Sequence, residues 1–151
     1  MHGKRISPAW RDTARAMSEE NVETFRRAVE AYARHDDDAL VELFDAEVEV
    51  QPALVVTLGG EATVYRGHEG VREWLRDTDD AFVERSVVVS EVLDLGSRLI
   101  AHGRTRFVGR ASGAATESAL AWVVDFSRGR VIRLRSYLDP TEAFKAAGLS
   151  E

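Results

Sequence analysis

The hydrophobic period of this chain changes once, near residue 83, and that change restricts the fold more than any other feature. Upstream, apolar residues recur at helical spacing. Downstream they alternate with a period of two, in runs at about 85–93, 98–108, 115–126 and 130–138. The breaks between these runs are Asp94-Leu95-Gly96-Ser97, Gly109 to Gly113 and Ser127-Arg128-Gly129. Links this short make neighbouring strands antiparallel. Helices first and a block of antiparallel strands last is an α+β pattern, with helices gathered on one face of a sheet. A strongly curved sheet of that kind is cone-shaped, and its apolar interior is a ready pocket.

Ser18-Glu19-Glu20 supplies a capping hydroxyl and two acids for the start of a first helix, whose stripe is Val22, Phe25, Val29 and Tyr32. His35-Asp36-Asp37-Asp38 interrupts it, and Leu40, Val41, Leu43 and Phe44 make a short second helix that the acids can cap. Glu47 to Pro52 alternates as a strand stopped by proline, and a loop with Gly59-Gly60 follows. Gly67-His68-Glu69-Gly70 opens a third helix, with Val71, Trp74, Leu75, Thr78 and Phe82 on one stripe. Asp139-Pro140-Thr141-Glu142 combines a capping acid, a first-turn proline and a Glu three residues on, so it starts a closing helix that Gly148 ends.

A chain of 151 residues, 44% of them hydrophobic, builds one globular core and not two. The first sixteen residues show no apolar periodicity. They set Lys4, Arg5, Arg11 and Arg15 against Asp12, a charge of +3, so the remainder carries −9 of the net −6. We therefore expect residues 1–16 to be a disordered N-terminal extension and 17–151 to be the folded domain. The acidic balance argues against nucleic acid and anionic membranes as partners. No apolar run has transmembrane length and the opening residues lack a signal-peptide centre, which points to the cytoplasm. The absence of Cys removes disulfides and thiolate sites. His2, His35, His68 and His102 show no metal-ligand spacing, and the nucleotide-binding glycine motifs and G-x-S-x-G are missing, so neither metal nor cofactor is expected.

Three stretches resemble the SnoaL-like branch of the nuclear transport factor 2-like superfamily: Met17 to Glu23 (MSEENVE), Tyr65 to Arg72 (YRGHEGVR) and Gly129 to Asp139 (GRVIRLRSYLD). The resemblance covers nearly all of residues 17–151. It implies a conical α+β fold, with helices packed on the concave face of a mainly antiparallel sheet and a pocket between them. It also implies frequent dimerisation through the outer sheet face. The superfamily includes isomerases, polyketide cyclases and epoxide hydrolases, and its enzymes commonly use an Asp with Tyr, Trp or His nearby and no metal. A small-molecule ligand and a homodimer are the partners to expect, and the alternative is a non-catalytic binding or interaction module. Outward-facing Leu134 and Leu138, beside Val87-Val88-Val89, would supply the dimer surface.

In the last strand Arg135, Tyr137 and Asp139 share one face, opposite Leu134, Ser136 and Leu138. If that face lines the cone, Arg135 can position an oxyanion, Tyr137 donate a hydrogen bond and Asp139 remove a proton. Asp139 is better explained as the cap of the closing helix, since Asp-Pro-Thr-Glu is a good helix start by itself. In the strand at 98–108, His102, Arg104 and Arg106 share a face, which either adds His102 and Arg104 to the pocket or is a solvated outer surface paired with acids such as Glu117. Tyr32 and Trp122 are the aromatic groups expected to line the ligand site, although core packing alone also accounts for them.

Overall fold

The structure, a computed structural model, describes residues 8–53 and 63–149. Helix α1 (Pro8–Ala33) and the short α2 (Asp37–Glu42) lead into strand β1 (Phe44–Gln51). A two-residue strand β2 (Tyr65–Arg66), helix α3 (Gly67–Ala81) and four strands follow: β3 (Phe82–Asp94), β4 (Arg98–Gly109), β5 (Ala115–Ser127) and β6 (Arg130–Tyr137). Helix α4 (Pro140–Ala146) closes the chain. The fold is α+β, with an unclosed curved sheet in the order β2-β1-β6-β5-β4-β3.

The four strands read from the sequence pair antiparallel in chain order, as their short turns require. The join to β1 is different. β1 runs parallel to β6, with Val50 opposite Leu134 and Gln51 opposite Arg135. A parallel pair needs a long crossover, and here nearly the whole domain lies between the two strands. Phe44, expected in the second helix, is instead the first residue of β1 and buried to 2% exposure.

Helix α1 starts at Pro8, upstream of the start read at Ser18. Residues 1–7 lie outside the described residues. From Ser18 onward α1 is tied to the far ends of the sheet. Ser18 Oγ bonds Asp94, Asn21 Nδ2 donates to Gly96 O at 3.1 Å, and Thr24 Oγ1 donates to Gly129 O at 3.0 Å. These bonds fix the helix across the turns that end β3 and precede β6. The Gly59-Gly60 loop also lies outside the described residues.

One face of the sheet carries α1, α2 and α3 and the main core, in which Leu75, Val71, Val48 and Leu99 are fully enclosed. Each such side chain contributes about 1.5–3 kcal/mol by leaving water. The stripe of α3 is as its sequence requires, with Val71 and Leu75 at the bottom. Helix α4 is the exception to helices sharing one face. It lies on the opposite side, where Ala143 and Ala147 pack with Ile100, Ala121 and Val123. Those three are the outer phase of β4 and β5, and they read as strand alternation without saying that a helix covers them.

Candidate functional site

Between α1, α3 and the inner sheet face lies a cavity of about 140 Å³. Seven rings line it. Phe25 and Tyr32 come from α1, Trp74 from α3, and Phe82, Phe107 and Trp122 from β3, β4 and β5, with Phe44 of β1 completing the set. Tyr32 stacks on Trp74 with centroids 5.8 Å apart, and Phe25 meets Trp122 at 6.5 Å in a tilted contact. Such pairs hold one another in place beyond the area they bury. The other sheet residues facing the cavity include Thr105, Leu120, Val124, Leu134 and Ser136.

Polar groups are few. Ser136 Oγ accepts a hydrogen bond from Ala53 N–H at 2.8 Å, and Thr78 Oγ1 donates to Trp74 O at 2.8 Å. Among the described residues, the only ionisable carboxyl in the wall is Asp77, on an exposed stretch of α3, so it marks the rim. Tyr65 donates its phenolic hydrogen to Asp77 Oδ2 at 2.8 Å. Burial pushes the Tyr65 phenol up to about 12, and the bond to Asp77 adds to the effect by favouring the protonated form. Tyr65 is held there because β2 pairs with β1, with Tyr65 opposite Val50.

Behind Tyr32 sits Arg85, whose side chain is 1% exposed. It faces inward in phase with Val87 and Val89 of β3. Its Cζ lies 4.1 Å from the Tyr32 ring centre, so Tyr32 contacts both the guanidinium and Trp74. Nη2 is 2.9 Å from His35 Nδ1, and Nε is 3.1 Å from Asp79 Oδ1 but not aligned as a hydrogen bond. Burial raises the Tyr32 phenol, and the neighbouring Arg85 charge opposes that shift. His35 reaches this position through a left-handed backbone, φ 59°, that ends α1.

The residues singled out from the sequence divide cleanly between the two faces. Tyr32 and Trp122 line the cavity. His102 and Arg104 do not: Thr105, Phe107 and Ala101 hold the inner phase of β4, which turns His102 and Arg104 to the outer face. There His102 Nε2 pairs with Glu91, and the adjacent Arg106 pairs with Glu84 and Glu117. Arg135 and Tyr137 are also turned away from the cavity, because Leu134, Ser136 and Leu138 take the inner phase of β6. Leu134 and Leu138 are therefore cavity wall and not an outward dimer surface. Arg135 lies 3.6 Å from Asp125, which also binds Arg98, while Tyr137 packs with the cluster under α4.

Asp139 caps α4, its Oδ1 accepting the Thr141 N–H at 2.9 Å. Asp139→Ala should lower unfolding free energy by about 1 kcal/mol and Asp139→Asn by much less, since Asn caps nearly as well. Thermal unfolding of the two variants checks this, and an unchanged midpoint in Asp139→Ala would show the cap to be idle. The sequence reading missed Asp77 and Arg85, although both leave a signal. Asp77 follows Trp74 by three residues on the same helix face, and Arg85 is a cation in the inward phase of an otherwise apolar alternation.

Among the described residues, no three His, Asp or Glu side chains gather as a metal group, and no helix is long and apolar enough to cross a membrane. The curved sheet, with three helices enclosing an aromatic-walled cavity, defines a class of cone-shaped α+β domains. Residues 25–134 match the model of the SnoaL-like domain, and the chain belongs to that family. Solved structures share the fold. An NTF2-like protein of unknown function from Burkholderia pseudomallei K96243 superposes with a TM-score of 0.72 at 21% identity, covering 83% of this chain and 95% of its own. TerC, crystallised with polyporic acid, gives 0.71 at 15% identity over 83% and 96%. Bal32a, from a soil-derived mobile gene cassette, gives 0.64 at 26% over 80% and 90%. No curated protein matches the chain in sequence.

Proposed function

We propose that the cavity binds one small, largely apolar, oxygenated molecule of terpenoid or polyketide type. The observation that carries this reading is an aromatic-walled space of about 140 Å³ left unfilled in an otherwise close-packed inner face, comparable to the ~150 Å³ apolar cavity that takes benzene. Thr105 and Ser136 offer hydroxyls to ligand oxygens. The polar residues buried among those described are Asn21, Thr24, Arg85, Thr105 and Arg135, with no carboxyl, which favours binding over deep proton abstraction. TerC, a structural neighbour, holds polyporic acid in its crystals.

The test is mass spectrometry of compounds released from the purified protein and from Leu134→Trp, which fills the cavity from β6. The wild type should release a ring-sized compound, and Leu134→Trp should hold at least about tenfold less of it. Equal occupancy in the two proteins would contradict the assignment.

One observation favours a second reading, cofactor-independent acid–base catalysis. Asp77 is a carboxylate at the rim whose Oδ2 is fixed by Tyr65, leaving Oδ1 with no hydrogen bond among the described residues. If the released compound is turned over, Asp77→Asn should lose about a hundredfold or more in rate. We also propose a cytoplasmic homodimer that covers Val88, which stands 66% exposed on β3, and its neighbours Val92 and Leu93. Sedimentation at micromolar concentration tests this, and a 16.8 kDa particle would exclude it.

A further inference from the structure

We propose that, among small, largely apolar oxygenated molecules, the cavity selects one that also carries a cationic amine, an ammonium group on a compact apolar body. This inference rests on the cavity being a ligand site and adds the charge of its ligand.

The wall is built from seven aromatic residues and carries one charged group, the Asp77 carboxyl. Ring faces are negative and attract cations, most strongly where water is excluded. A carboxylate at the rim reinforces the same preference, because its field extends further into an apolar cavity than into water. The end of α3 adds to it. Thr78 and Ala81 line the cavity in the last turn of that helix, so the negative end of the α3 dipole lies at the same rim.

Among the described residues, an anion finds no counterpart in the wall. Arg85 stacks against Tyr32, with Nε and Nη1 closed off and Nη2 engaged by His35. Asp79 offsets its charge at 3.1 Å. Arg104, His102 and Arg135, the other candidates for anion recognition, belong to the opposite face of the sheet. Phe25, Trp122 and Phe107 line the cavity beside Tyr32, whose ring already engages Arg85 and Trp74.

Three ligands of one shape separate the charge from the fit: choline, 3,3-dimethylbutan-1-ol and 3,3-dimethylbutanoate. Each is titrated into the wild type and Asp77→Asn by calorimetry, with Leu134→Trp as the blocked control. Choline should bind the wild type about tenfold more tightly than the neutral alcohol, the scale of a desolvated cation–π and ion-pair contact. Asp77→Asn should narrow that ratio to about threefold while leaving the alcohol unchanged, the rings retaining the rest. An alcohol that binds as well as choline overturns cation selection and leaves the ligand site standing, and so does a butanoate that binds best. If none of the three binds, or if Leu134→Trp binds them as the wild type does, the ligand site fails and this inference fails with it. The wild-type ranking decides the question even if a variant does not fold.

Discussion

Trp122→Ala is expected to destabilise the domain by about 3–5 kcal/mol, the range for emptying a large aromatic position in a core. Trp122 is 9% exposed and lies in the middle of β5, opposite Ser136 on one side and Ala101 on the other. Its ring meets Phe25, so its loss removes one of the contacts through which α1 rests on the sheet. The vacated space joins the existing cavity and is too large for the sheet to close by relaxation. Urea unfolding followed by far-ultraviolet dichroism gives the number. A loss under about 1 kcal/mol would mean that the aromatic wall does not hold the cone together.

Gly103→Ala should be comparably severe, for a different reason. A Cβ at Gly103 would stand 1.9 Å from Val88 O and 2.8 Å from Val88 C, both backbone atoms of the neighbouring strand. No side chain can turn aside to relieve that contact. β3 comes this close because the β3–β4 register shifts between Val89 and Glu91, a bulge that bends the strand as it leaves the inner wall. We expect a loss of about 3 kcal/mol or more, the upper end of overpacking. Ala119→Gly, an exposed site on β5, controls for the ordinary cost of changing these residue types in a strand. Stability of Gly103→Ala within about 1 kcal/mol of wild type would show that the register shift is not fixed by that contact.

The parts of this fold that the sequence displays are those governed by local period. Strand alternation from β3 to β6 and the stripe of α3 are direct consequences of which residues avoid water, and short turns leave little choice of pairing. The parallel β1–β6 pair is not local, since it joins residues more than eighty positions apart, such as Val50 and Leu134. Face is harder to read than period. Arg135, Tyr137 and Asp139 alternate correctly, but which phase meets the cavity depends on α4, whose Ala143 and Ala147 cover the outer side. Once α4 takes that side, a strand of alternating cations and hydroxyls can be structural: Arg135 sits with Asp125 and Arg98, and Tyr137 packs beneath the helix. Asp77 escapes notice because it is one charged residue in the polar end of α3, and Arg85 because a single cation in an apolar alternation shows nothing of its partners. Their setting comes from Tyr65, Tyr32 and His35, which arrive from other elements.

The family resemblance fixes the cone and leaves its contents to this chain's own residues. Seven rings, the hydroxyls of Thr78, Thr105 and Ser136 and one rim carboxyl support the proposed reading of a site that recognises shape and ring surface first, with charge as a second filter. Arg85 strengthens the wall and does not enter it. Its guanidinium, set against the Tyr32 ring, orients that ring.

The central claim, that the inner cavity is where a ligand binds, is tested most directly by methyl spectra of Ile-, Leu- and Val-labelled protein titrated with 3,3-dimethylbutan-1-ol. Saturable shifts are predicted for Val87, Leu120, Val124 and Leu134, which line the cavity, with Val88, Val92 and Leu93 of the exposed strand unmoved. Shifts confined to the exposed strand, or none at millimolar ligand, would contradict it.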